Sequence, residues 1–203
     1  MKTKEIINPI WVRIYHWVHA ISIVMLIITG IQIRFPDLFN LFGNLKRAIH
    51  YHNLFGFIVL LDYLSWYSTY LINKDFKKQY IPTKQDFLKG IPSQAYYYLF
   101  GYFLGDPAPF EPKPEAKFNP LQKTAYFIIM VIFLPLQIIS GVLLWNINFF
   151  RPVIDILGGV RVVDGVHIIL AYIFICFLLA HLYLATLGHT VYSHFKAMIL
   201  GYE

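Results

Sequence analysis

Charge and sulfur are both scarce in this chain. Only 14% of its 203 residues are Asp, Glu, Lys or Arg, against 58% hydrophobic, and the mean hydropathy is positive. Soluble globular domains carry about a quarter charged residues, so an ordinary water-solvated fold is excluded. Cys176 is the only cysteine, which excludes disulfides within the chain and thiolate metal centres. In its apolar run Cys176 reads as a small buried hydrophobe.

Long apolar runs are abundant. Segments 10–34, 52–72, 123–147 and 165–187 are each long enough to cross a hydrocarbon core of roughly 30 Å. The fold class predicted is all-α, an integral membrane four-helix bundle forming a single domain over residues 1–203. The first run carries Arg13, His16 and His19 and lacks a small-residue cleavage site, so it reads as a retained helix and not a cleaved signal.

Twelve Lys and Arg (Lys2, Lys4, Arg13, the eight lysines from Lys74 to Lys123, and Lys196) lie on one side of the spans. Five (Arg34, Lys46, Arg47, Arg151, Arg161) lie on the other. Positive charge marks the cytoplasmic side, which predicts both termini there in a multi-pass membrane protein. The net charge of +6 follows from this asymmetry and implies no nucleic acid. The cytoplasmic stretch from Asn73 to Gln122 is too long for a turn. Its aromatic part, "DFLKGIPSQAYYYLFGYFL", suits a helix lying in the interface between helices 2 and 3, and "DPAPFEPKPEAKFNP" is proline-rich and extended.

Within the last apolar run, "GVHIILAYIFICFLLAHLYLAT", His167 and His181 stand fourteen residues apart. On a helix that is a rise of about 21 Å and roughly 40° short of four turns, so both imidazoles leave one face near opposite ends of the span. An imidazole in hydrocarbon needs a partner, and haem iron is one that a helical bundle can offer. The plain alternative is a pair of hydrogen-bonded core histidines. Further histidines at both depths favour haem: His16 and His19 near the cytoplasmic start of helix 1, His50 and His52 near the outer start of helix 2.

An inner haem between helices 1 and 4 and an outer one between helices 2 and 4 follow. Without a CxxCH motif both are b-type. His50 and His52 diverge by about 200° on a helix, so one of them faces the bundle axis. His52 is preferred, because Gly56 one turn on leaves room for a flat macrocycle. Arg47 and Arg161 lie just outside the outer level, as propionate partners or interfacial anchors.

Two other sets of polar residues need an account. Asp62, inside helix 2, reads as a structural carboxyl, protonated or bonded to a hydroxyl such as Ser65, with a proton path as the alternative. His189 and His194 fall past the fourth span and read as exposed, or as proton relays. The tail forms a short surface helix with Phe195, Met198 and Ile199.

Five motifs in order give the chain a family resemblance over nearly its whole length: "RIYHWVHAISIVMLIITG", "HNLFG", "KFNPLQKTAY", "ISGVLLW" and "HIILAYIFICFLLAHLYLA". It resembles the diheme cytochrome b subunits of membrane-bound formate dehydrogenase, nickel-iron hydrogenase and thiosulfate reductase (cytochrome b561-like), and is closest to the thiosulfate-reductase-like branch. The resemblance points to His16, not His19, on helix 1, and to His52 on helix 2. The iron ligands it implies are His16 with His181 and His52 with His167.

The resemblance also implies an exchangeable menaquinone or ubiquinone near the inner haem, in a pocket containing Asn119, with Gln122 and Lys123 as lining. Leu121 departs from the glycine that formate dehydrogenase subunits carry there. Asn119 before Pro120 equally reads as a helix cap. The function implied is an electron-transfer subunit of a respiratory oxidoreductase complex, carrying electrons through two b haems between a periplasmic redox partner and the quinone pool. That partner is an iron-sulfur protein, a dehydrogenase or reductase, or a multihaem cytochrome c. The alternatives are a stand-alone diheme cytochrome b561 oxidising a small diffusible donor, which needs no partner, and a haem-free membrane anchor, which has no haem spectrum.

Overall fold

The computed structural model describes residues 8–73, 76–110, 117–188 and 190–202. Among them the chain is all-helical, without strands. Four helices are long and apolar enough to cross a membrane: Ile10–Arg34, Leu45–Ile72, Pro120–Trp145 and Val160–Ala185, hereafter the first to fourth spans. Lys2, Lys4, Lys74, Lys113, His189 and part of the proline-rich stretch lie outside the described residues.

Three spans start earlier than their apolar runs, because helix ends are set by caps and hydropathy windows are blind to them. The second begins after Asn44, whose Oδ1 accepts from the Arg47 N–H at 2.8 Å. Asn119 caps the third, with Pro120 at its first position. The fourth follows Gly158 and Gly159, both at positive φ (99° and 93°), where a side chain would be strained. Pro135 marks an irregularity in the third span. It has no N–H for the preceding turn and its ring crowds that turn's carbonyl, and the backbone widens into a π turn over Ile128–Phe133 just before it.

The chain divides into two compact units. One comprises 14–68 and 133–176. Gln32, 1% exposed, organises its first connection: Nε2 donates to Asn40 Oδ1 and to the Asn44 carbonyl, and Oε1 accepts from the Phe42 N–H. The loop that delivers the second span is thereby tied one turn beyond Thr29. The second connection, through the short helix Arg151–Ile156, packs Ile154 against Leu143 and Val163. Ser140 and His167 follow one turn from those contacts. Cys176 is exposed on the fourth span, which corrects the expectation of a buried thiol: Leu170 and Phe174 are the buried residues there.

The other unit comprises 1–13, 69–132 and 177–203. Residues 86–104 form a continuous irregular helix that alternates π turns (Asp86–Gly90, Tyr97–Gly101) with α turns (Ile91–Tyr96, Tyr102–Leu104). It crosses the start of the third span where Gly90 meets Pro120: a Cβ there would lie 2.5 Å from the proline ring, so only glycine permits the approach. The tail helix is Ser193–Leu200, with Ala197 buried. The Arg13 guanidinium hydrogen-bonds the Ile199 carbonyl, and the Asn8 N–H donates to Gly201 at 3.0 Å.

Candidate functional site

Within the 14–68/133–176 unit, His52 of the second span and His167 of the fourth face each other with ring centroids 6.2 Å apart and planes at 69°. Each ring is held by a different neighbouring helix. His52 Nδ1 lies 2.9 Å from Thr29 Oγ1 on the first span. His167 Nδ1 lies 2.9 Å from Ser140 Oγ on the third, and its Nε2 lies 3.2 Å from Gln137 Nε2. Thr29 and Ser140 are buried.

Glycines make the close approach possible. A Cβ on Gly30 would lie 3.5 Å from His52 Cε1, and one on Gly141 would lie 3.2 Å from His167 Cε1. Gly56, expected to make room beside His52, has nothing within 4 Å of a Cβ built on it. It opens onto free space, and the glycines that touch the rings are two the sequence reading had not singled out.

His50 is exposed, beside Tyr51. With Asn44, Lys46 and Arg47 it lines a shallow depression of about 380 Å³. Arg47 and Arg161 are both exposed. On the first span, His16 packs edge-on against Trp17 at 5.2 Å. His19 Nδ1 pairs with Asp62 Oδ2 at 3.1 Å, and the Asp62 side chain is 7% exposed. Asp62 thus finds its partner 43 residues away, while the Ser65 hydroxyl, the partner expected, donates to the Leu61 carbonyl.

In the other unit His181 stacks on Phe177 (5.8 Å, 19°) and meets the edge of Tyr126 at 6.3 Å. An aromatic series leads there through Trp11, Tyr70, Tyr80, Phe118 and Tyr126, with successive centroids 4.8 to 5.5 Å apart. His16 and His181 belong to different units. The His194 ring N–H donates to the carbonyl of Ala185, the last residue of the fourth span, at 3.2 Å. It is a helix-end cap and not the exposed side chain expected.

Asn119 is 5% exposed, and its polar atoms have partners. Oδ1 accepts from the Gln122 N–H, the Gln122 Oε1 accepts from the Asn119 N–H, and Nδ2 donates to the Tyr98 hydroxyl at 2.9 Å. This capping box accounts for both residues locally. Lys123 pairs with Asp86 at 3.4 Å.

The His52–His167 level fits a bis-imidazole haem. Two rings that bind one metal from opposite sides, with bonds of roughly 2 Å each, have centroids about 6 Å apart, which is the separation found. Both Nδ1 atoms already have partners, and Gln137 Oε1, on the amide that reaches His167 Nε2, is buried with no hydrogen-bond partner among the described residues. No cluster of three or more His, Cys, Asp or Glu that could hold a bare metal ion occurs among the described residues.

The family described as "Prokaryotic cytochrome b561" matches residues 8–201. "Putative cytochrome YdhU" of Escherichia coli (strain K12) is 34% identical, over 95% of this chain and 72% of its own length. The "Probable Ni/Fe-hydrogenase B-type cytochrome subunit" of Bradyrhizobium diazoefficiens is 27% identical, over 86% and 74%. The "Putative protein-methionine-sulfoxide reductase subunit YedZ1" of Azospira oryzae is 25% identical, over 82% and 84%.

Proposed function

Since this chain belongs to the prokaryotic cytochrome b561 family, multi-pass membrane proteins that transfer electrons through b-type haem, we propose that it is one diheme domain serving as the membrane electron-transfer subunit of a respiratory oxidoreductase. It connects a redox partner subunit on the outer side with quinone in the bilayer of a bacterial inner membrane. The relatives named as hydrogenase and reductase subunits support a partner of that kind.

The facing pair His52 and His167 is the observation that carries this reading. Haem bound there would supply one-electron transfer. The protein's own contribution is to present two imidazoles from two helices and fix their directions through Thr29 and Ser140. Arg47 and Arg161, exposed beyond this level, are proposed partners for haem propionates. The fourteen-residue spacing of His167 and His181 on one unbroken helix, with His16 on the first span, supports a second haem. For quinone, the region of Asn119, Gln122 and Tyr98 is proposed. Because the Asn119 amide is already bonded to Tyr98, it acts by holding that phenol in place, and Gln122 by completing the cap. Burial pushes the Tyr98 phenol above its ordinary value even with Asn119 and Gln94 bonded to it, so it remains a proton donor at neutral pH.

Haem content tests the proposal. The purified chain is expected to show a low-spin b-type spectrum with two haems per chain, both extractable with acidified acetone because none is covalent. A chain without haem, or one that holds it after extraction, would overturn the assignment. Co-purification of a redox subunit tests the partner separately.

A further inference from the structure

Thr29-Gly30 and Ser140-Gly141 are the same two-residue device on two different helices. In each, the hydroxyl reaches Nδ1 of an imidazole on another helix, and the adjoining glycine leaves room for Cε1 of that same ring. Glycine is required more strictly at 141, where a Cβ would sit 3.2 Å from the ring, than at 30, where 3.5 Å is ordinary contact.

The hydroxyl protons decide the chemistry. Thr29 Oγ1 donates to the Met25 carbonyl one turn back at 2.7 Å, and Ser140 Oγ to the Gln137 carbonyl at 3.0 Å. A hydroxyl has one proton. With it directed to a backbone carbonyl, the oxygen can only accept from the imidazole, so His52 and His167 both carry their hydrogen on Nδ1. Their lone pairs are then on Nε2.

The geometry points to Thr29-Gly30 and Ser140-Gly141 as matched positioning residues, each fixing the tautomer and ring plane of one ligand and together setting the redox potential of the iron those ligands would share. The inference rests on the proposed haem at His52 and His167 and deepens it. An Nδ1–H donated to an acceptor makes the imidazole a more basic ligand, which favours ferric over ferrous iron. Low-spin iron held between these rings, with planes at 69°, would give a strongly anisotropic EPR signal, so that signal would report ring direction independently of turnover.

The test uses the full chain in membranes, with potentiometric titration and EPR of Thr29→Val, Ser140→Ala and Thr29→Ser. Thr29→Val keeps the shape and removes the acceptor, whereas Thr29→Ser keeps the acceptor. Expected is a positive shift in midpoint potential and a moved largest g value for one haem, the one His52→Ala removes, in Thr29→Val and Ser140→Ala. The other haem stays unmoved and Thr29→Ser is close to wild type. Gly141→Ala should move the EPR signal more than Gly30→Ala. If Thr29→Val loses the haem while Thr29→Ser retains it, the hydroxyl is still shown to be required. Wild-type potential and signal in both hydroxyl variants, equal shifts in both haems, or loss of haem in Thr29→Val and Thr29→Ser alike would overturn the inference. Failure of the underlying reading looks different: His52→Ala would then leave haem content unchanged.

Discussion

The two compact units put many of their polar side chains to different uses. In the 14–68/133–176 unit, Thr29, Ser140 and Gln137 are directed at imidazoles on other helices. In the other unit, Thr83, Asp86, Gln122 and the Asn119 Oδ1 are directed at the starts of their own helices, while the Asn119 Nδ2 reaches out to the Tyr98 hydroxyl. A polar group buried in an apolar protein must be bonded whatever its purpose. What it bonds to tells a site from a scaffold: a long-range contact to a titratable ring orients that ring, whereas a contact three residues along ends a helix. The histidines divide in the same way. His52 and His167 are fixed by directional hydrogen bonds, and His181 has the faces and edges of Phe177 and Tyr126 as neighbours.

The largest effects should come from the rings themselves. His52→Ala and His167→Ala are expected each to abolish the same haem band, leaving a chain with one haem. His16→Ala and His181→Ala should abolish the other. His50→Ala, exposed beside Tyr51, should keep both. His19→Ala should also keep both bands, but it strands the Asp62 carboxyl, at a cost of about 1–3 kcal/mol read as a lower melting temperature. Loss of a band in His50→Ala with none lost in His52→Ala would break the contrast at its centre.

A smaller effect is expected in the capping unit. Asn119→Leu removes the cap and the donor to Tyr98 without touching a proposed ligand. Both haem bands should persist, stability should fall by about 1 kcal/mol, and oxidation of the reduced haems by added quinone should slow at least severalfold. A wild-type exchange rate with the same loss of stability would make Asn119 a cap alone and move the quinone elsewhere.

The approach of His52 to His167 was within reach of the sequence, because histidine order along apolar runs is local: fourteen residues on one helix place His167 and His181 at two levels of a span before any partner is known. So was the Asn119 cap, since Asn-Pro-Leu-Gln holds cap, first-turn proline and reciprocal glutamine within four residues. Thr29 and Ser140 were not, although both lie in quoted motifs. Their partners are 23 and 27 residues away, and nothing in "ITG" or "ISG" says which ring will arrive. Asp62 failed for the same reason: Ser65 was the nearest candidate along the helix, and His19 came from another one. Cys176 was misread because an apolar run gives no inward face when both lipid and core are apolar. The clue available was repetition, a hydroxyl followed by glycine in two spans.

The smallest expected effect concerns pH and is confined to the capping unit. The Thr83 N–H and hydroxyl both donate to Asp86 Oδ2, at 2.7 and 2.9 Å, and the Asp86 N–H returns to Thr83 Oγ1 at 3.2 Å. Lys123 joins the same carboxylate from the third span. Burial alone would raise the Asp86 carboxyl, but the Thr83 donors and the Lys123 ammonium outweigh it and hold it below its ordinary value of 3.8. A carboxyl with a lowered folded value stabilises the folded state fully above the unfolded value and loses that stabilisation as pH falls through the folded one. The start of the 86–104 helix and its tie to the third span should therefore be unaffected between pH 7 and 5 and loosen below about pH 4. Hydrogen exchange of backbone amides around Thr83 to Gly90 should report this as accelerated opening at low pH. Asp86→Asn should remove most of that pH dependence, while Thr29 and Ser140 variants leave it intact. An identical acid profile in Asp86→Asn would show that the loosening has another titrating group behind it, and that the capping unit is held by packing at Gly90 and Pro120 more than by its charges.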